Sequence, residues 1–554
     1  MRVLLLLVLA ACVRPEVRPQ PPLPFAVEAQ CQAAELRRRP DPDVRALLDA
    51  PPAATRARAA LAVGRIGDAQ AIDRLAQLLL DAEVGETAAW ALGRIDGGVP
   101  ALLRCLSQPC ASAPAAARAL AGPAAGKTPQ AEALVAALSG PAMDEAAFAL
   151  GILARNPEAT FPPRTWAALA AALPRPGAAY ALSRLPKGSA EGLQQALAPT
   201  LRSADPWARA LAARAWGRQG LPAEGLARAF DDPDWRVRVE AARGLATAPG
   251  AVALLSSTAP RQTSPHVLVA LFEAAAQLGP EALPALSLAS PDPVVRCASA
   301  QARDRIRKQL IDTPLCDGQG DWRSRARTGA LAAELGLLEP ARAAMKDPDG
   351  RVRGAAAGAA GPLLSAELHR LLADPDRYVV EEAQGALAKD SSSPAVQNVP
   401  ALVVPPEARS APAARRLRLR TSRGELLVDL RPEVAPLTSS ALAALAGRHF
   451  YDGLTFHRVV PDFVVQGGDP RGDGDGGPAP GWAIPDEHSP LRFLRGTLGI
   501  ATSGPETGGS QFFLCHSPQP HLDGRYTMAG QLASGDDVLD ALEPGDTILS
   551  ATAE

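Results

Sequence analysis

The chain has 554 residues, 47 % of them hydrophobic but only 4 % aromatic, with a net charge of -2. That balance gives no overall basic field for nucleic acid or an acidic surface, and the apolar content excludes a disordered chain. Ala and Leu dominate the apolar residues. Such a chain builds its core from small helix-forming side chains rather than aromatic plugs.

The first twelve residues, MRVLLLLVLAAC, read as an address label. The apolar run Val3–Leu9 is too short to span a bilayer, which takes roughly 18–20 residues. Leu-Ala-Ala-Cys resembles a bacterial lipobox, so residues 1–11 are expected to be a signal peptide, with cleavage before Cys12 and lipidation of its sulfur. Several acyl chains, at about 0.8 kcal/mol per buried CH2, would then hold the mature protein at the periplasmic face of a membrane. Residues 12–35 continue as a Pro-rich extended tether. An exported chain meets an oxidising compartment, where Cys105–Cys110 and Cys297–Cys316 are spaced for disulfides. Free buried thiols fit the sequence equally well. No cysteine spacing suits zinc, so no metal and no cofactor is expected.

Residues 36–389 repeat themselves. TRARAALAVGRIGD (55–68), GETAAWALGRIDG (85–97), DWRVRVEAARGLA (234–246) and DGRVRGAAAGAAG (349–361) share one helical spacing. Asp-Pro pairs begin at 205, 232, 292, 347 and 374, one or two units of 27–30 residues apart. Each predicts a helix start, with Asp as N-cap and Pro at the first helical position. A unit this small holds two short helices and cannot bury its apolar faces alone, so neighbours must stack. The pattern resembles short HEAT-like repeats of the kind noted in phycobilin lyases. That resemblance implies an α-solenoid scaffold that binds a protein partner. No Cys or His cluster supports ligand chemistry on it.

Ser and Pro break the helical period over residues 390–415, which read as a linker. The grammar then changes for residues 416–554. RLRLRTSRGELLVDLRP (416–432) alternates at period two around Ser-Arg-Gly and predicts a β-hairpin. APLTSSALAALAGRHF (435–450) predicts a helix, and short strands with Gly-rich loops fill the rest.

Three segments carry the chemistry in this region: TFHRVVPDFVVQGGDP (455–470), GTLGIATSGPETGGSQFFLC (496–515) and HLDGRYTMAGQL (521–532). In this order they resemble the cyclophilins, the peptidyl-prolyl cis-trans isomerases, from Leu417 to the C-terminus. The resemblance implies an eight-stranded antiparallel β-barrel with flanking helices, acting on proline-containing polypeptides. It assigns the catalytic arginine to Arg458, and the walls of the proline pocket to Phe463, Phe513 and Leu522. It also gives Gln466 the anchoring of substrate backbone, and places Ala501, Thr502 and Gln511 on peptide-contact positions. Gln466 shares a strand face with Val464, two residues earlier.

The match departs from the family pattern at four places. Val464 stands where Met is usual, His521 where many members have Trp, and Tyr526 where His is common. Ala529 replaces an aromatic residue, which is expected to loosen the pocket floor. DPRGDGDGG (469–477) has the composition of a calcium loop but lacks the bidentate Glu an EF-hand requires, so it reads as a Gly-rich turn. The whole reads as a lipid-anchored isomerase with a repeat array for partner binding. The alternative is a scaffold that recognises Pro-containing segments without turnover.

Overall fold

The computed structural model describes residues 24–122, 129–188, 192–286, 290, 292–313, 322–388, 414–478 and 482–554. Cys12, Cys316, residues 12–23 of the expected tether and residues 390–413 of the linker lie outside them. The rest of the expected tether is not extended but enters the helix Phe25–Arg37, which buries Cys31 and Glu35. The described residues fall into two compact units. One runs from the N-terminal helices to Gln219 and includes Glu487–Leu494 and Pro518–Met528; the other takes Gly220–Asp486, Arg495–Ser517 and Ala529–Glu554.

The first unit is a succession of short paired helices. In Ala53–Ile66 the apolar stripe of Ala59, Leu61, Ala62 and Val63 is buried. The helix stops at Gly67 (φ 78°), whose N–H and that of Asp68 both donate to the Val63 carbonyl, at 2.9 and 3.0 Å. Gly64 has a packing role: a Cβ there would lie 2.8 Å from the Ala91 Cβ on the helix Gly85–Leu92. Small residues let these backbones approach, which explains the alanine-rich composition. Arg58, Arg65 and Glu35 form a buried ion cluster, with Arg58 Nη1 2.6 Å from Glu35 Oε1. A disulfide joins Cys105 and Cys110, while Cys31 and Cys515 are buried thiols.

The Asp-Pro expectation holds at two of its five positions. Asp205 accepts from the Trp207 N–H at 2.9 Å and Asp292 from Val294 at 2.8 Å, with Pro206 and Pro293 opening their helices. At 232, 347 and 374 the N-cap is instead the second acid of an Asp-Pro-Asp triplet. Asp232 accepts from the Asp234 N–H, and Asp234 accepts from Arg236, both at 2.9 Å. The same double step runs through Asp347–Asp349 and Asp374–Asp376. Two short side chains that capture nearby N–H groups compete for the cap; the first acid takes it in Asp41-Pro42-Asp43, and the acid nearer the helix takes it in these three triplets. The freed first acid meets a repeat arginine: Arg353 reaches Asp374 at 2.7 Å and Arg325 reaches Asp347 at 2.8 Å. Arg353 and Arg325 thus tie one repeat to the next, whereas Arg238 donates to the Asp232 and Pro233 carbonyls of its own turn.

In the second unit, helices from Trp235–Leu245 to Arg377–Ala388 accompany an eight-stranded sheet. Its strands are β1 (Arg416–Thr421), β2 (Gly424–Leu430), β3 (Arg458–Val460), β4 (Val464–Gly467), β5 (Thr497–Ile500), β6 (Phe512–Cys515), β7 (Met528–Ser534) and β8 (Ile548–Ala553). They lie in the order β3-β4-β6-β5-β7-β2-β1-β8. The hairpin β1–β2 turns at Ser422-Arg423, and the expected helix runs over Pro436–Gly447. The two edges meet: Thr455 bridges Thr547, and the Phe456 N–H donates to the Asp546 carbonyl at 2.8 Å. The sheet therefore closes into a barrel. Leu419, Val428, Phe456, Val465, Phe512, Leu514 and Leu532 fill it. Ala529 is fully buried in that core, so its small side chain is a barrel residue rather than an opening in the pocket floor.

Candidate active site

The strand register sets the site. Arg458 on β3 stands opposite Gln466 on β4, Gln466 opposite Phe513 on β6, and Phe513 opposite Gly499 on β5. Side chains on one face alternate with the core, so Val465 faces the barrel interior while Val464 and Gln466 face away from it. Arg458 is exposed, and its guanidinium carbon lies 5.8 Å from the Phe463 ring centroid.

Behind the arginine runs a one-way chain of hydrogen bonds. Arg458 Nη1 donates to Gln466 Oε1 (3.3 Å), and Gln466 Nε2 donates to Gln511 Oε1 (2.9 Å). Gln511 Nε2 then donates to the carbonyls of Gly474 (2.7 Å) and Gly476 (2.9 Å). Each amide has only one orientation that satisfies its neighbours, so the chain holds the groups around Arg458 in place.

The far end of that chain is the segment 469–477, which makes a Gly-rich turn as expected. Its organiser is Asp469, 1 % exposed, whose carboxylate accepts from the N–H groups of Arg471 (2.8 Å), Asp473 (2.9 Å) and Gly474 (2.5 Å). Among the described residues no group of three or more His, Cys, Asp or Glu is arranged to hold a metal ion. Gly468 (φ 83°) shows why the sequence needs Gly-Gly here: a Cβ would come 2.4 Å from the Ser510 carbonyl. Ser510 Oγ in turn donates to the Gly468 carbonyl at 2.7 Å, and Tyr451 Oη to the Ser510 carbonyl at 3.3 Å. Asp469 and Ser510 lie inside the quoted segments but were given no role there, and Tyr451 lies outside them. Only the crowding of Asp and Gly hinted at Asp469.

Phe463 ends a tight turn. Its N–H donates to the Val460 carbonyl at 3.0 Å, with Pro461 second and Asp462 third at φ 54°. Pro followed by positive φ is the type II signature, normally completed by Gly; a non-glycine residue there costs on the order of 1–3 kcal/mol. Asp tolerates it best, but surrounding contacts must hold it. The Asp462 carbonyl accepts from Ser517 Oγ at 3.1 Å, and the Phe463 carbonyl accepts from the His516 N–H at 2.9 Å. Burial pushes the Asp462 carboxyl well above the usual carboxylate range, with Glu240 adding to the rise and Arg243 opposing it.

Phe513 is 5 % exposed, so it is nearly core, while Phe463 is half-buried. Ala501 and Thr502 follow β5 and are half-buried, with the Ala501 N–H donating to the Gln511 carbonyl at 3.0 Å. His521, Leu522 and Tyr526 belong to the first unit. His521 and Leu522 are buried in the short turn Pro520–Leu522, and Tyr526 is half-buried. Burial, together with Arg155, Arg184, Arg525 and Arg214, holds the His521 imidazole down at about 3, so it is neutral near pH 7.

A family model described as cyclophilin type peptidyl-prolyl cis-trans isomerase/CLD matches residues 416–552, and one for HEAT repeats matches residues 41–122. The chain is 48 % identical over 134 residues to a peptidyl-prolyl cis-trans isomerase of Synechococcus elongatus, covering 24 % of this chain and 91 % of that protein. It is 45 % identical over 126 residues to peptidyl-prolyl cis-trans isomerase B of Bacillus subtilis, covering 23 % of this chain and 88 % of the relative. For an isomerase of Helicobacter pylori the identity is 42 % over 134 residues, covering 24 % and 82 %. The chain belongs, through its C-terminal domain, to the cyclophilin family. That domain is a cyclophilin-type isomerase domain whose substrates contain proline, and the N-terminal HEAT repeats imply protein binding.

Proposed function

We propose that this protein is an exported, lipid-anchored prolyl isomerase that assists folding or remodelling of exported proteins, with its repeat array holding a partner or client near the isomerase site. The observation that carries the catalytic part is Arg458: an exposed guanidinium beside the Phe463 ring, backed by the amides of Gln466 and Gln511. An X-Pro bond rotates slowly because amide resonance sets a barrier of ~18–20 kcal/mol. Catalysis needs no nucleophile. It needs a grip on the proline ring and a donor for the nitrogen once rotation has broken its conjugation. In this reading Phe463, Phe513 and Leu522 grip the ring, and Gln466 anchors the flanking backbone. Val464, Ala501, Thr502, Gln511, His521 and Tyr526 line the peptide path. Arg458, charged at any working pH, donates to the twisted nitrogen.

Export is supported by the leader MRVLLLLVLAAC and by the bonded pair Cys105–Cys110, which suits an oxidising compartment. The test is a refolding reaction of an exported protein limited by prolyl isomerisation. The full chain is expected to shorten the slow phase, and Arg458→Ala is not. A native chain that leaves the slow phase unchanged would contradict the proposal.

A further inference from the structure

The turn that carries Phe463 is held from three sides, and one of them is a repeat helix. On Trp235–Leu245, Arg243 Nη2 donates to the Pro461 carbonyl at 2.8 Å, across 218 residues of sequence. Ser517 and His516 hold the next two carbonyls of the same turn. Arg243 is itself anchored on its own helix by an ion pair with Glu240, which is 3 % exposed. Its guanidinium is therefore in place whatever the turn does. The Asp462 carboxyl, its Oδ1 closed to solvent, faces the same cluster.

The neighbouring contacts make this helix a fixed point. Arg236 donates to the His516 carbonyl at 3.0 Å and pairs with Asp540, and the Trp235 and His516 rings meet edge to face at 5.2 Å. His266 Nε2 lies 3.2 Å from the Asp540 carbonyl. A second brace sits at the other end of the amide chain. Arg471, in the turn that holds Gln511, makes two contacts of 3.1 Å with Asp376, and Arg351 donates to the Arg471 carbonyl at 3.1 Å.

We propose that Arg243 is a positioning residue for the isomerase: by fixing the Pro461 carbonyl, the repeat array sets where Phe463 stands beside Arg458. The turn places a residue at positive φ that glycine would normally occupy, so it keeps this shape only while its carbonyls are held. Released from Arg243, the Pro461–Asp462 peptide can turn over and carry the Phe463 ring away from its place 5.8 Å from the guanidinium. The repeats thus tune the catalytic domain they are joined to, in addition to any partner they bind. This rests on the proposed roles of Arg458 and Phe463.

The test compares full-length Arg243→Met, Arg243→Lys and Arg353→Met with the native chain on a short X-Pro peptide, by NMR exchange. Arg353→Met removes a repeat ion pair of the same unit without touching the turn. Arg243→Met is expected to lower kcat/KM about 10-fold, mostly through KM because Phe463 walls the pocket, and Arg243→Lys to restore most of it. Arg353→Met is expected to stay within about twofold of native, as a distant site should. A general loss of structure would not produce that split or that rescue. The proposal is overturned if Arg243→Met keeps native kcat/KM, or if Arg353→Met loses as much. Should the native chain not turn the peptide over, the isomerase reading fails separately. Peptide Kd by calorimetry then decides: about 10-fold weakening in Arg243→Met alone supports the positioning role, and an unchanged Kd overturns it.

Discussion

Arg458 and Gln466 stand opposite each other on β3 and β4, and the guanidinium donates to the amide oxygen at 3.3 Å. That contact uses one of the five N–H donors of the guanidinium. Because Gln466 passes its own N–H to Gln511, the orientation of the arginine proposed as catalytic depends on a second amide further along the chain.

Gln511→Leu is therefore expected to disorder the amide chain rather than empty the site. Losing the acceptor for Gln466 Nε2 costs on the order of 1–3 kcal/mol, and kcat/KM should fall about 10- to 100-fold with the barrel still folded. Steady-state kinetics with a circular dichroism check measures this. A variant with native kcat/KM would show that Gln466 needs no support.

Phe513→Ala should weaken binding and turnover together. Phe513 is 5 % exposed, so its truncation also costs about 3–5 kcal/mol of stability, and Phe513→Leu serves as the better-folded comparison. Both variants should raise KM for an X-Pro peptide, Ala more than Leu. An unchanged KM in both would place the proline ring elsewhere.

Three buried histidines link stability to acid. Burial pushes His488, His516 and His521 down to about 3 from the usual 6.5; His266 and Arg236 add to the effect at His516, and nearby arginines at the other two. A depressed base takes its proton in the unfolded chain first. Each histidine therefore stabilises the fold fully above 6.5 and loses that contribution as pH falls toward 3, at up to about 1.4 kcal/mol per pH unit. Asp462 and Asp523, raised by burial, run the opposite way and oppose the slope over the same range. His516→Gln should flatten the acid limb of a denaturant midpoint-versus-pH curve relative to native. Identical slopes would mean that His516 is protonated in the fold.

Cys12→Ser tests the anchor. The variant should leave the membrane fraction while keeping native circular dichroism, since a leader too short to span cannot hold the chain. Retention in the membrane fraction would count against lipidation at Cys12.

The strand residues of the site were legible because Phe-His-Arg, Gln-Gly-Gly-Asp and Gly-Ser-Gln-Phe-Phe carry their register with them. Asp205 and Asp292 were legible as caps because nothing local competes with them. At Asp234, Asp349 and Asp376 two acids compete, and only the geometry of the turn decides between them. Arg243 was not legible at all. It stands in DWRVRVEAARGLA, which reads as one more repeat, and the carbonyl it serves lies 218 residues away. The role of Asp469 was hidden for a different reason, since composition cannot distinguish a carboxylate that binds calcium from one that binds its own backbone.

The most direct measurement is the isomerisation rate of Arg458→Ala on a short X-Pro peptide, read beside peptide affinity. If the guanidinium serves only the twisted nitrogen, its loss removes transition-state stabilisation and little ground-state binding. The expected result is a folded barrel, Kd within a few-fold of native and kcat lower by roughly 100- to 1000-fold, the usual cost of losing one preorganised donor. Arg458→Lys should recover only part, because an ammonium lacks the planar fork. Turnover in Arg458→Ala equal to that of the native chain would contradict the assignment.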